Sequence, residues 1–226
     1  MALRNKWEQL AALKPDVAII QECEQDARWP QGGYTSALWH GGNRHKGIAI
    51  VTFGDWRLRP VAQVDTSIEY VLPAEVLGPQ PFRVLGVWTK PAANRERSYI
   101  GQMLYAAEVY GPWLAGGAAV VAGDLNSNAV WDRPRRARYA ATVARLSACG
   151  LGSAYHAFFG CSHGEERHGT WYNHKRIERS FHLDYCFVPT NWMAHVRRVD
   201  VGRPDEWLAY SDHCPLIVDV AMADVA

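Results

Sequence analysis

Val120-Val121-Ala122-Gly123-Asp124-Leu125-Asn126-Ser127-Asn128 decides how the rest of this 226-residue chain reads. A short apolar run ends at a glycine, and a carboxylate and an amide follow two positions apart. Such a run predicts a buried strand whose end opens into a loop. In layered α/β architectures, strand ends hold polar groups rigidly while leaving them within reach of a ligand. Taken alone, strand-Gly-Asp also begins ordinary turns. Three further pieces give it weight: Ile19-Ile20-Gln21-Glu22, Leu183-Asp184-Tyr185 and Ser211-Asp212-His213-Cys214-Pro215-Leu216. Each sets a carboxylate at the edge of an apolar run, and the last adds a histidine.

The surrounding chain supplies alternating strands and helices. Leu3, Trp7, Leu10 and Leu13 recur at helical spacing, so Met1 to Lys14 predicts an amphipathic helix stopped near Pro15. Val17 to Glu22 follows as a buried strand. Tyr34–Trp39, Gly47–Phe53, Trp56–Val64 and Ser67–Leu72 read as a meander of antiparallel strands separated by turn residues. Phe82–Thr89 is another strand, and Arg97–Leu114 a helix ended by Gly116-Gly117. Pro134–Cys149 predicts a second amphipathic helix. Gly169–Tyr172, Phe181–Val188, Ala194–Val201 and Pro215–Val220 predict strands, with a short helix at Pro204–Leu208. No repeat or linker divides the chain. The expectation is one α/β domain over residues 1–226, with two packed sheets and helices on their outer faces.

Composition sets the outer bounds. With 48% hydrophobic and 21% charged residues, the chain has the makings of a globular core. A net charge of +1 argues for no partner by itself. The five cysteines are scattered and never form a CxxC pair, so neither a zinc framework nor a disulfide framework is predicted. There is no apolar run long enough to span a bilayer and no signal-peptide core, so a cytoplasmic, monomeric protein is expected, away from membranes.

The carboxylates carry the chemistry. Glu22, straight after an apolar run, suits a hard cation such as Mg²⁺, although it also reads as a cap or an exposed strand end. Asp124 and Asn126 set a water-holding carboxylate beside an amide. Asp184 stands in an apolar strand, where a carboxylate without a partner costs on the order of several kcal/mol. His213 is its candidate partner, and an Asp-oriented imidazole can donate to a phosphate or accept a proton. Adjacent Asp212 and His213 could each face a bound metal-phosphate group, or read as a turn and a histidine satisfied in the core. The remaining histidines, including His163, His168 and His174, show no ligand spacing.

Together, Gln21-Glu22, Gly123-Asp124-Leu125-Asn126, His182-Leu183-Asp184-Tyr185 and Ser211-Asp212-His213 resemble, in chain order, the motifs of the endonuclease/exonuclease/phosphatase superfamily of DNase I-like, Mg²⁺-dependent phosphodiesterases and phosphatases. The resemblance implies a four-layer α/β sandwich with its site at one end of paired sheets. It implies Glu22 as the principal ligand of Mg²⁺ (Mn²⁺ as the alternative) and Asp212 as its helper. Asp124 would align or deprotonate water, Asn126 would orient it and contact the phosphate, and His213, held by Asp184, would bind or protonate a phosphoryl oxygen.

Two departures stand out. Relatives begin with a strand bearing a site Asn, whereas this sequence starts in the helix that would follow. The natural protein is therefore expected to be longer at its N-terminus. Trp88 falls where many relatives carry His or Tyr, and it is expected either to stack on a base or sugar or to pack. Lys46, Lys90, Arg95, Arg97, Lys175, Arg176 and Arg179 lie in loops that could line a phosphate-backbone groove, whereas Arg133, Arg135, Arg136 and Arg138 read equally as a solvated face. The expected partner is nucleic acid. The rivals are a small phosphoester or lipid headgroup as substrate, and a catalytically impaired nucleic-acid binder.

Overall fold

The computed structural model describes residues 3–25, 29–62, 65, 68–133 and 138–221. The chain opens with α1 (Trp7–Ala12), β1 (Val17–Cys23), β2 (Ser36–Asn43), β3 (Lys46–Thr52) and β4 (Arg57–Pro60). It continues through β5 (Val71–Leu77), β6 (Phe82–Trp88), α2 (Ile100–Ala115), β7 (Ala119–Asp124) and α3 (Arg138–Ala148). Then come β8 (Leu151–Ser153), α4 (Ala154–Phe159), β9 (Trp171–Tyr172), β10 (Ser180–Phe181) and β11 (Asp184–Pro189). The last elements are β12 (Val196–Val201), α5 (Pro204–Trp207) and β13 (Leu216–Val220).

A six-stranded sheet of order β4-β5-β6-β7-β11-β8 forms the backbone of the fold. Every ladder in it is antiparallel except β6–β7, where α2 provides the crossover a parallel pair requires. On one face Leu85, Val87, Val121 and Phe187 pack against Met103, Ala106 and Leu114 of α2 and Tyr139 and Leu146 of α3. On the other face Leu72, Ala74, Val84 and Trp88 meet Ile48 and Ile50 of a three-stranded sheet, β1-β3-β2. Farther along that face, Val120 and Val188 pack with Tyr155 of α4 and with the β12–β13 hairpin. The far side of the small sheet, through Ala49 and Val51, is covered by Leu3 and Trp7. Helices, sheet, sheets and helix make four layers, as the sequence predicts.

The differences have local causes. The meander divides: β2 and β3 belong to the small sheet, while β4 and β5 join the large one after the Gly54-Asp55 turn. β5 runs on through Pro73, where a proline argues for a strand end. The β4 ladder stops at Ala74, so Pro73 takes no part in it. The first predicted helix breaks at Lys6 into a 3₁₀ turn (Leu3–Asn5) and α1. The predicted strand from Phe181 breaks at His182-Leu183. Residues 63, 64, 67, 134–137 and 1–2 of the predicted elements lie outside the described residues, as do Arg135 and Arg136. All five cysteines are free thiols, and none of the described helices is long and apolar enough to cross a membrane.

Among the described residues, β1 pairs only with β3, and β13 only with β12. Their other edges border a cavity of about 700 Å³, floored by Val84, Val120 and Ala122 of the large sheet. One end of this slot opens onto the carboxylates of the next subsection.

Candidate active site

The strand order brings the ends of three neighbouring strands together at one end of the large sheet. Trp88, the last residue of β6, is in register with Asp124, the last of β7, and Asp124 is paired with Asp184, the first of β11. Gly123 makes this possible. Its φ is +139°, and a Cβ there would stand 1.9 Å from the Val87 carbonyl oxygen, so no other residue fits.

Beyond Gly123 the chain folds back on itself. Asn126 has left-handed φ (44°), and both Asp124 oxygens accept from it, Oδ1 from the backbone N–H and Oδ2 from Nδ2, each at 2.7 Å. Asn126 Nδ2 also donates to the Thr89 carbonyl at 2.9 Å. Its amide hydrogens are thus spent, and the group it has left to offer is Oδ1, an acceptor. Thr89 N–H donates to the Asp124 carbonyl, and the buried Thr89 hydroxyl donates to the Leu125 carbonyl at 2.6 Å.

Asp184 is fixed from the other side. Thr170 Oγ1 accepts the N–H groups of Leu183 and Asp184 at 2.9 and 3.0 Å. Asp184 Oδ2 accepts from His213 Nδ1–H at 2.8 Å, which orients the imidazole. Trp171 bridges to His213 and donates its indole N–H to Asp212 Oδ2 at 3.3 Å.

Glu22 reaches the same cavity through a bulge. The β1–β3 register shifts between Gln21 and Cys23, which sets Glu22 outside the ladder in left-handed conformation (φ 57°). Bulges of this kind re-aim a side chain at a sheet edge, and the strained backbone is a mark of sites where position matters. Glu22 Oε1 accepts from Lys46 Nζ at 3.1 Å. Glu22, Asp124, Asn126, Asp184, Asp212 and His213 therefore line one cavity. The six come from four separated parts of the chain.

The electrostatics follow from crowding. Burial and the Asp184 carboxylate opposite push Asp124 far above the usual carboxylate range, against the pull of His213. Burial opposes charge on His213, but Asp184, Asp124 and Asp212 outweigh it and raise the imidazole to about 9. Lys6, unmarked by any motif, sits mostly buried within range of Asp212 and Glu22, and burial lowers its pKa. Several carboxylates and one amide oxygen around a single cavity make a hard oxygen-donor set suited to a divalent cation. The raised Asp124 is the strain such a charge would relieve.

The remaining expected residues surround this core. Trp88 is buried against Tyr70 (ring centroids 4.7 Å apart), so of its two expectations packing is what occurs, and stacking on a base is not open to it. Lys90 Nζ stands 4.6 Å from the Trp88 ring centroid and Lys46 Nζ 5.3 Å, so the two cations share one aromatic ring beside Glu22. Arg97 lies over Tyr105, and Arg138 is tied to Glu96.

A second cleft, of about 560 Å³, meets the first at Asn126 and Trp171 and is bordered by Arg95, Tyr99 and Trp131. Trp131 and Phe181 are exposed and pack on each other at 4.9 Å, with Trp171 next to Phe181 at 6.4 Å. Nothing in the local sequence marks these aromatics; only the fold assembles them. Thr89, Thr170 and Lys6 are equally invisible there, because each acts through contacts distant in sequence.

No protein-family model and no curated protein matches the chain. Solved structures do. A 3′ phosphatase, NExo, from Neisseria, in a variant form bound to product DNA hairpin, superposes with a TM-score of 0.69 at 20% identity, covering 97% of this chain and 95% of that one. An AP endonuclease from Archaeoglobus fulgidus gives 0.70 at 17% identity over 95% and 92%. The endonuclease domain of TRAS1, a telomere-specific non-LTR retrotransposon, gives 0.65 at 16% over 95% and 90%. With its four layers and these neighbours, the chain has the DNase I-like fold.

Proposed function

We propose that the chain is a divalent-metal-dependent phosphoester hydrolase that cleaves nucleic-acid phosphodiesters, with Mg²⁺ as its physiological ion. The observation that carries this reading is the Asp184–His213 pair set against Asp124 and Asn126 in one acidic cavity. The neighbours at hand are a DNA-bound 3′ phosphatase and two endonucleases, which favours the same chemistry.

Hydrolysis in line with the leaving oxygen needs an aligned water, a proton acceptor, and charge neutralised on the phosphoryl oxygens. Asp124, with its raised proton affinity, is matched to accepting a proton from water near neutral pH. Asn126 Oδ1 takes a hydrogen bond from that water and fixes its direction. His213, kept protonated by Asp184, donates from Nε2 to a phosphoryl oxygen as charge builds on it. Glu22 and Asp212 would hold the cation, which would supply charge neutralisation at the non-bridging oxygens. Lys46 and Lys90 draw the backbone phosphates to the cavity mouth.

Nucleic acid is favoured over a small phosphoester by the second cleft. Exposed Trp131 and Phe181 offer stacking faces, with Arg95 on the same border. A panel of plasmid, abasic and single-stranded DNA, RNA and bis(p-nitrophenyl) phosphate, with and without EDTA, tests the reading. We expect Mg²⁺-dependent strand cleavage that His213→Ala and Asp124→Ala each slow by about 10²-fold or more. Salt-sensitive binding without turnover would replace the enzyme with a binder, and turnover of small esters alone would replace the nuclease with a phosphatase.

A further inference from the structure

Outside the acidic cavity, three side chains converge that no sequence spacing links. His156 lies on α4, and His163 and Glu166 on the segment that follows it. His156 Nε2 is 2.9 Å from Glu166 Oε1, and the His163 ring stacks on the His156 ring with centroids 3.6 Å apart. One potential ligand atom from each of the three lies within 4.8 Å of the other two. The side chains of His156 and Glu166 are only 8% and 3% exposed.

Each member is held from behind. Ser153 Oγ is 2.7 Å from His156 Nδ1, and the Tyr139 hydroxyl is 2.8 Å from His163 Nδ1. Glu166 Oε2 accepts from Asn128 Nδ2 at 3.1 Å, and Oε1 accepts from the Gly164 N–H at 3.0 Å. Ser153 opens α4 but makes no side-chain cap hydrogen bond there; its hydroxyl goes to His156 instead. Histidines and carboxylates oriented this way by outer hydrogen bonds are what metal sites require, because the outer bond fixes the tautomer and aims the free lone pair. Burial holds His163 down to about 4, so it is neutral at pH 7, and hydrogen bonds from His156, Gly164 and Asn128 outweigh burial to bring Glu166 to about 2. His182 adds a third imidazole beside the cluster, its ring centroid 6.3 Å from that of His156, with a buried Nε2 that has no hydrogen-bond partner among the described residues.

We propose that His156, His163 and Glu166 form a second metal site that takes Zn²⁺ and not Mg²⁺. Two imidazole nitrogens and one carboxylate match the ligand preferences of zinc, with water in the fourth position, whereas Mg²⁺ demands oxygen. In the metal-free protein one proton lies between His156 Nε2 and Glu166. Zn²⁺ takes its place on Nε2, and the proton passes to Nδ1, where the Ser153 hydroxyl turns from donor to acceptor. The Ser153 and Tyr139 hydroxyls either donate or accept, so they satisfy the imidazoles in both states. The site shares no residue with the acidic cavity. Through Glu166 and Asn128 it braces the turn that carries Asp184, because Asn128 Nδ2 also donates to the His182 carbonyl at 3.1 Å. The inference does not depend on the hydrolase reading.

The test is calorimetric titration of the chelator-stripped full chain with Zn²⁺ in excess Mg²⁺, read together with the melting temperature. We expect one tight Zn²⁺ equivalent that raises Tm and survives in a Glu22→Gln/Asp212→Asn double variant. It should be lost in His163→Ala. Absence of tight binding, or binding lost in the double variant and kept in His163→Ala, overturns the proposal. Should His163→Ala fail to fold, ¹⁵N shifts of the imidazoles in the natural chain decide. Zn²⁺-induced shifts at His156 and His163 support the site, and unmoved resonances refute it.

Discussion

Asp184 and Asp124 stand directly opposite each other as the terminal pair of the β11–β7 ladder. Like charges in that relation are destabilising. The structure manages them by turning one toward His213 and wrapping the other around Asn126. If Asp184 acts only by holding His213, the two form one catalytic unit. We therefore expect Asp184→Asn and His213→Ala each to lower kcat by roughly 10²–10⁴, and the double variant to fall no further than the weaker single one. Multiplying losses in a double-mutant cycle would mean that the residues act separately.

The same crowding gives the metal-free protein a characteristic pH dependence. His213 has a folded value of about 9 against an ordinary 6.5, so between those pH values the folded state binds more protons than the unfolded one. Its contribution to stability is complete below pH 6.5 and is lost as pH rises through 9. Asp124, also raised, has the same sign. In EDTA, Tm should fall by several degrees from pH 6.5 to 9, and Asp184→Asn should flatten that slope. A Tm that holds level or rises over this range in the natural chain would contradict the charge arrangement.

Much of this site was legible in the sequence because its signals are local. A β-branched run closed by Gly123 announces β7 and its polar end, and Leu183-Asp184-Tyr185 announces a carboxylate in an apolar frame. What escaped depends on tertiary placement. Glu22 itself is named by the sequence, but the bulge that sets it in left-handed conformation and aims it at the cavity has no mark at Gln21-Glu22-Cys23. Six residues of α4 are too few to carry helical periodicity. His156, His163 and Glu166 meet only after the α4–β9 segment folds back, so their spacing reads as no ligand pattern. The division of the meander between two sheets was hidden for the same reason: strand patterns give faces, not partners.

The exposed aromatics separate a nuclease from an esterase of small substrates. Trp131→Ala and Phe181→Ala remove surface stacking faces, and we expect each to weaken single-stranded DNA binding by about 1–3 kcal/mol, measured by fluorescence anisotropy. Turnover of bis(p-nitrophenyl) phosphate should be unchanged, since neither side chain belongs to the acidic cavity. Equal effects on both substrates would assign the aromatics to the fold.

The slot between β1 and β13 makes the last prediction. Two strand edges face it with no ladder partner among the described residues, and its floor is apolar. Backbone left without partners in this way costs free energy wherever it is shut away from water. A strand placed there would bond to both edges, bury its apolar face on Val84, Val120 and Ala122, and end beside Glu22 and Asp212. We expect a variant carrying an added apolar strand for this slot to melt at higher temperature and to hydrolyse substrate faster. The strand's hydrogen bonds should appear as slowed amide exchange along both β1 and β13. Addition without protection on β13 would mean that the slot is not a strand site, and equal rates and melting temperatures would remove the added strand from both the fold and the catalytic cavity.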